Sequence, residues 1–327
     1  STKAWEILDS RKASFGSLSG ELETGVNCSG MVTPWETVVT CEEVSSYTLE
    51  QQAGNNFLLN PILSPILTGD DGHYNLGWCV EIDPVTAEVM DYDNDGNNDK
   101  LYALGNMAHE NVSEPVGDSI IYFGEDNSPG QEDNYMYKFV ADTPGNLSSG
   151  RLYTLVLDDE SDPTLGGDWV LIPNGTVEER NNAVEAARAE GAWNLPRVED
   201  VEVAPHDGKV YITSTAFDQI YRLDDMGDRA ENIEIFLDNI DYTVDSMGVK
   251  TQSVNFNSPD NLCFDNEGNL YILQDGGEGY IFFASKDHTP ANPDVKVFAS
   301  FPDGSEPTGM TMTPDNKFMF VSVQHPF

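Results

Sequence analysis

The feature that most constrains this chain is a short unit that recurs along it. A turn of Asp, Asn or Gly leads into a brief aliphatic and aromatic run, and a second polar turn closes it. Asp207-Gly208-Lys209-Val210-Tyr211-Ile212, Glu267-Gly268-Asn269-Leu270-Tyr271-Ile272-Leu273 and Asp315-Asn316-Lys317-Phe318-Met319-Phe320-Val321 are three copies, and Gly117-Asp118-Ser119-Ile120-Ile121-Tyr122-Phe123 is a fainter fourth. Short runs of this composition between turn formers read as strands. The later copies lie about fifty residues apart, the length of one four-stranded blade, so the repeat predicts an all-β propeller. Tyr135–Phe139 and Gln219–Leu223 read as the next strand in their blades. One decorating helix is expected over Val177–Glu190, which is Ala- and Glu-rich and is stopped by Gly191. No linker or low-complexity run divides the chain, so residues 1–327 read as one propeller domain. A propeller closes its last blade with a strand from the other terminus. The sequence stops directly after a strand, so incomplete or unusual closure is expected.

Charge decides which partners are admissible. The chain carries 57 acidic and 16 basic residues, a formal net charge of -41. Nucleic acid and anionic lipid both require a basic face, so neither is expected as a partner. No stretch approaches the roughly 18 apolar residues of a membrane helix, so no membrane insertion is expected. An acidic excess of this size either keeps a surface solvated in saline surroundings or binds hard cations such as calcium; both readings stay open. The start at Ser1, without Met or an apolar leader, is what either a removed signal peptide or an incomplete chain leaves; a secreted protein, periplasmic or extracellular, is expected. The four cysteines, Cys28, Cys41, Cys79 and Cys263, then admit disulfides in three pairings. Cys28 with Cys41 is one of them, in competition with a metal role for Cys41. Zinc-finger spacing is absent.

Several polar constellations stand out. Asn27-Cys28-Ser29-Gly30-Met31-Val32-Thr33-Pro34-Trp35-Glu36-Thr37 runs on to Thr40-Cys41-Glu42-Glu43. A thiolate beside two carboxylates combines one soft ligand with two hard ones, a mixture that suits iron next to calcium. His109-Glu110-Asn111 follows. In Arg197-Val198-Glu199-Asp200, a strand would turn Arg197 and Glu199 to one face, and a guanidinium fork beside a metal-binding carboxylate makes a phosphate clamp. Ser258-Pro259-Asp260-Asn261, Gln274-Asp275-Gly276, Glu306-Pro307-Thr308-Gly309 and Gln324-His325-Pro326 are polar turns at strand ends. Propellers gather such ends around the mouth of the central channel.

Taken jointly, the Asn-Cys-Ser-Gly, Thr-Pro-Trp and Cys-Glu-Glu pattern, followed in order by His-Glu, Arg-x-Glu-Asp, Pro-Asp-Asn and Gln-His-Pro, resembles the PhoX-type alkaline phosphatases from about Asn27 onward. The resemblance implies a six-bladed propeller that hydrolyses phosphate esters of small molecules with iron (Fe3+) and calcium (Ca2+). It implies iron on Cys41 and Glu110, Glu199 among the metals, Arg197 on the substrate phosphate, and calcium on Asp260, Asp275 and Glu306, with Glu42 a further ligand. The sequence departs from the family at Glu36, where glycine is expected, and at Thr213-Ser214-Thr215-Ala216, where an Asn pair is expected.

A separate loop, Asp91-Tyr92-Asp93-Asn94-Asp95-Gly96-Asn97-Asn98-Asp99, has acids at positions 1, 3, 5 and 9 and Gly at position 6. That pattern predicts a structural calcium site on Asp91, Asp93, Asp95 and Asp99, although Tyr102 stands where the loop's final Glu belongs. His73, His206 and His288 read as surface residues. Two rival functions remain. Pro259-Asp260-Asn261 with Asp265 and Gly268-Asn269-Leu270-Tyr271 also resembles the blade motif of calcium-dependent lactonase propellers, and a calcium-stabilised propeller without catalysis would fit as well.

Overall fold

The structure is a computed structural model that describes residues 10, 11, 13, 24–43, 71–74, 76–94, 99–126, 134–246, 249–276, 279–302 and 304–326. It is an all-β propeller built of antiparallel meanders. The first blade is β1 (Asn27–Val32), β2 (Val38–Glu42), β3 (Cys79–Asp83) and β4 (Glu88–Val89). The second is β5 (His109–Val112), β6 (Ile120–Glu125), β7 (Met136–Thr143) and β8 (Asn146–Leu157), extended outward by β9 (Gly167–Ile172). The third is β10 (Val201–Val203), β11 (Val210–Ser214), β12 (Gln219–Asp225) and β13 (Arg229–Leu237). Gly167 and Asp168 of β9 pair with Ala230 and Arg229 of β13, which fuses the second and third blades into one nine-stranded sheet. A hairpin of β14 (Asp241–Ser246) and β15 (Val249–Asn255) precedes the fourth blade, β16 (Pro259–Phe264), β17 (Leu270–Gln274), β18 (Tyr280–Ala284) and β19 (Val295–Ser300). Strands β20 (Glu306–Met312) and β21 (Met319–Gln324) begin a fifth.

The recurring sequence unit has one structural address. Each copy is the turn into the second strand of a blade together with that strand, namely β6, β11, β17 and β21. Strands β6, β11 and β17 are apolar on both sides because their blades are covered on both faces, whereas β21 leaves Phe320 exposed. Period-two alternation then sends neighbouring residues to different cores. Ile121 and Phe123 pack toward the first blade while Tyr122 packs toward the third. Val210 and Ile212 face the second blade, whereas Tyr211 faces the fourth. Ile272 joins the core with the third blade, and Tyr271 and Leu273 meet Met310, Met312 and Val321 of the fifth. The hydrophobic interior is thus a row of inter-blade cores rather than one central mass.

The single helix expected over 177–190 is two, α1 (Val177–Asn181) and α2 (Ala183–Glu190). Asn182 leaves the helical region at φ -115, ψ 30, and its side-chain amide donates to the Glu178 carbonyl at 2.6 Å, competing with helix continuation. Thr176 and Glu179 form a reciprocal capping box at the start, and Ala183 and Ala187 pack into the core between the first two blades.

Candidate metal centre

One register rule places the polar strand ends. The N–H groups of Glu43, Asp126, Thr215 and Asp275, each just beyond or at the close of a second strand, donate to the carbonyls of Val26, Ala108, Arg197 and Ser258 at 2.9–3.2 Å. Each bond brings a second-strand tail beside the residue two places beyond the acceptor. The resulting pairs are Cys28 with Glu43, Glu110 with Asp126, Glu199 with Thr215, and Asp260 with Asp275. Three acceptors hold left-handed backbone, Val26 at φ 51, Arg197 at φ 53 and Ser258 at φ 46. Non-glycine residues adopt that region only where the surroundings enforce it, and such strain gathers at functional sites.

These ends enclose a cavity of about 420 Å3. Cys28, Glu43, Glu110, Arg197, Glu199 and Asp260 line it, with Asp275, Glu306 and Gln324 from the fourth and fifth blades. Glu110, Glu199 and Asp260 bring ligand atoms within 4.8 Å of one another, and so do Glu43, Glu110 and Asp126. Glu110 belongs to both trios. Its Oε2 and the Oδ1 of Asp260 are buried without a hydrogen-bond partner. Burial first, and then the charge of Glu199 and other neighbours, push the Glu110 and Asp260 carboxyls well above the carboxylate range. Glu43 is pushed up to about 8 by burial, Asp126 and Glu199, and Glu199 to about 7, chiefly by burial. Buried acids this close, with oxygens left over, require cations to stay ionised, so the donor set fits bound metal.

Arg197 is the cavity's cation. Its Nε lies 3.1 Å from Asp126 Oδ1, and its Nη2 lies 3.4 Å from Asp126 Oδ2, 2.5 Å from Glu199 Oε1 and 3.7 Å from Asp275 Oδ2. Burial works against its charge, but the Asp126 hydrogen bond and the surrounding carboxylates outweigh it and hold the guanidinium protonated. The expectation that Arg197 and Glu199 meet holds, but not by strand alternation: Arg197 sits in a left-handed turn and β10 begins only at Val201.

Two expected ligands lie elsewhere. Cys41 is fully buried in the core between the first and second blades, with Cys79 Sγ 3.4 Å from its own sulfur. Glu42 is fully buried too, and its oxygens take Lys100 Nζ at 2.7 and 2.9 Å and the N–H groups of Gly25 and Trp78 at 3.1 Å. It is a closed structural ion pair with no capacity to spare. The thiol that reaches the cavity is Cys28, and the carboxylate is Glu43. Asp126 and the cavity position of Cys28 are what sequence reasoning missed; Glu43 stood in the Cys-Glu-Glu run as one of its two carboxylates, and its place one residue past a strand end is the signal that separates it from Glu42.

In the acidic loop, Asp91, Asp93 and Asp99 bring ligand atoms within 4.8 Å of one another, while Asp95 lies outside the described residues. Tyr102 is occupied in stacking on His73, ring centroids 3.8 Å apart. The surface assignment of two histidines is corrected: His73 is buried against Asp71, and His288 is buried with Nε2 against the Phe236 carbonyl.

A propeller whose channel mouth presents carboxylate trios, a thiol and a guanidinium has the make-up of a metal-dependent phosphate-ester hydrolase. The chain belongs to the alkaline phosphatase PhoX family, which it matches over residues 4–327. Among solved structures it is similar to Pseudomonas fluorescens PhoX in complex with vanadate, a transition state analogue, at 25% identity and a TM-score of 0.65, over 95% of this chain and 68% of that one. A gluconolactonase of Xanthomonas campestris, XC5397, is similar at 10% identity and a TM-score of 0.45, over 89% of this chain and 67% of that one, too distant to bear on function. No curated protein matches the chain.

Proposed function

We propose that this chain hydrolyses phosphate esters with bound iron and calcium. The observation that carries the reading is the pair of carboxylate trios sharing the buried Glu110, with Arg197 beside them. Cys28, Glu43 and Glu110 offer a soft sulfur with two carboxylates, which suits Fe3+. Glu199, Asp260, Asp275 and Glu306 offer oxygen alone, which suits Ca2+. When bound, the metals neutralise phosphate oxygens and supply an activated oxygen nucleophile. They also answer an electrostatic objection, because a protein of net charge -41 otherwise repels an anionic substrate.

The chain's own groups orient the ester. Arg197 presents guanidinium N–H groups to phosphate oxygens, and those charge-assisted bonds strengthen as negative charge builds in the transition state. Asp126 takes Nε and Nη2 of the same guanidinium and fixes its direction. Asp91, Asp93 and Asp99, whose ligand atoms gather within 4.8 Å, would hold a separate calcium that stabilises the fold.

The test is metal analysis and a p-nitrophenyl phosphate assay on one preparation, before and after chelation. Iron and calcium should be present together, and chelation should abolish turnover reversibly. A preparation replete in both metals that leaves phosphate esters intact would overturn the reading.

A further inference from the structure

We propose that Cys41 and Cys79 are joined by a disulfide in the protein formed under oxidising conditions. They are direct partners across the antiparallel pair β2–β3, and their sulfurs, thiols in the structure, already lie 3.4 Å apart. Opposed residues of antiparallel strands have Cα atoms about 4.5–5.5 Å apart, within the span a disulfide requires. Closing the bond therefore needs side-chain rotation and no change of register. The other two cysteines are not rivals: Cys28 is exposed at the metal cavity, and Cys263 lies on β16 in the fourth blade. Of the three pairings the sequence admits, the fold leaves this one with its sulfurs in contact.

The chemistry balances as a thiol–disulfide exchange. Two thiols lose two protons and two electrons to the disulfide of an oxidoreductase or of oxidised glutathione, which is reduced to two thiols. Export to the periplasm or beyond, as expected from the sequence, provides such a donor. Both cysteines are fully buried beside Met31, Val39 and Leu101, so the bond forms as β2 and β3 pair and is afterwards shielded from reductant. It ties together residues 38 positions apart, in the blade that delivers Cys28 and Glu43 to the cavity. It also withdraws both partners from metal chemistry and leaves Cys28 as the cavity's one thiol among the described residues.

Peptide mapping of the full chain tests this without reference to activity. The protein is refolded in a glutathione redox buffer, denatured, alkylated without reductant and digested. The expected product is a linked Cys41–Cys79 peptide, with Cys28 and Cys263 both alkylated. Four alkylated cysteines, or a link from Cys41 to Cys28, would overturn the proposal. Strong reductant applied during unfolding should lower the melting temperature of the natural chain by roughly 3–6 °C, and should not shift a Cys41→Ala/Cys79→Ala variant. An equal shift in both would overturn it as well. If the double variant fails to fold, the peptide map of the natural chain still decides.

Discussion

At the scale of single residues, the two adjacent motifs Asn-Cys-Ser-Gly and Cys-Glu-Glu divide their labour in a way composition conceals. Cys41→Ala is expected to cost roughly 2–5 kcal/mol of stability by loss of its buried volume and of the bond to Cys79, while leaving bound iron unchanged. Cys28→Ser should lose the thiolate-to-metal absorption and most of the iron with the fold intact, as read by elemental analysis and circular dichroism. Glu110→Gln touches both trios, so bound metal and turnover should fall together, with kcat/KM down by at least about a hundredfold. Arg197→Lys keeps a charge but loses the planar fork. Metal content should hold while kcat/KM falls by about 10²–10³; retention of full activity would remove Arg197 from the site.

At the scale of elements, the site depends on where each first strand begins. Gly124 of β6 shows how tightly the 197–199 segment is seated. A Cβ there would lie 2.2 Å from Val198 Cγ1 and 2.4 Å from Val198 Cβ. Val198 is fixed between Arg197 and Glu199, so Gly124→Ala must displace both functional neighbours. It is expected to destabilise the protein by about 1–3 kcal/mol and to weaken metal binding in titrations. Strand existence and the phase of each second strand were legible from the alternation of Val210, Tyr211 and Ile212. The split of the expected helix at Asn182 was not, because the Ala- and Glu-rich composition on both sides favours helix and only the amide's bond to Glu178 breaks it. Nor was the fusion of two blades through β9 and β13, since that depends on an edge meeting another edge in space.

At the scale of the whole molecule, the carboxylate cluster ties stability to pH and metal. Glu43 and Glu199 start from 4.5 and rise to about 8 and about 7 in the fold without cations. Raised carboxyls contribute stability that is full below about pH 4.5 and is lost as pH rises through their folded values. Metal-free protein should therefore lose melting temperature between about pH 5 and pH 8, and saturating iron and calcium should remove that slope, because they bind only the folded state. Identical slopes with and without metal would refute the coupling. The sequence by itself determined the blade period, the acidic surface and the inventory of ligand types, because each follows from local alternation, turn chemistry or charge count. Only the tertiary structure decided that Cys28 and Glu43, rather than Cys41 and Glu42, face the channel. Which residue faces it is set by strand register and by the inter-blade cores that claim Cys41, contacts made between residues far apart along the chain.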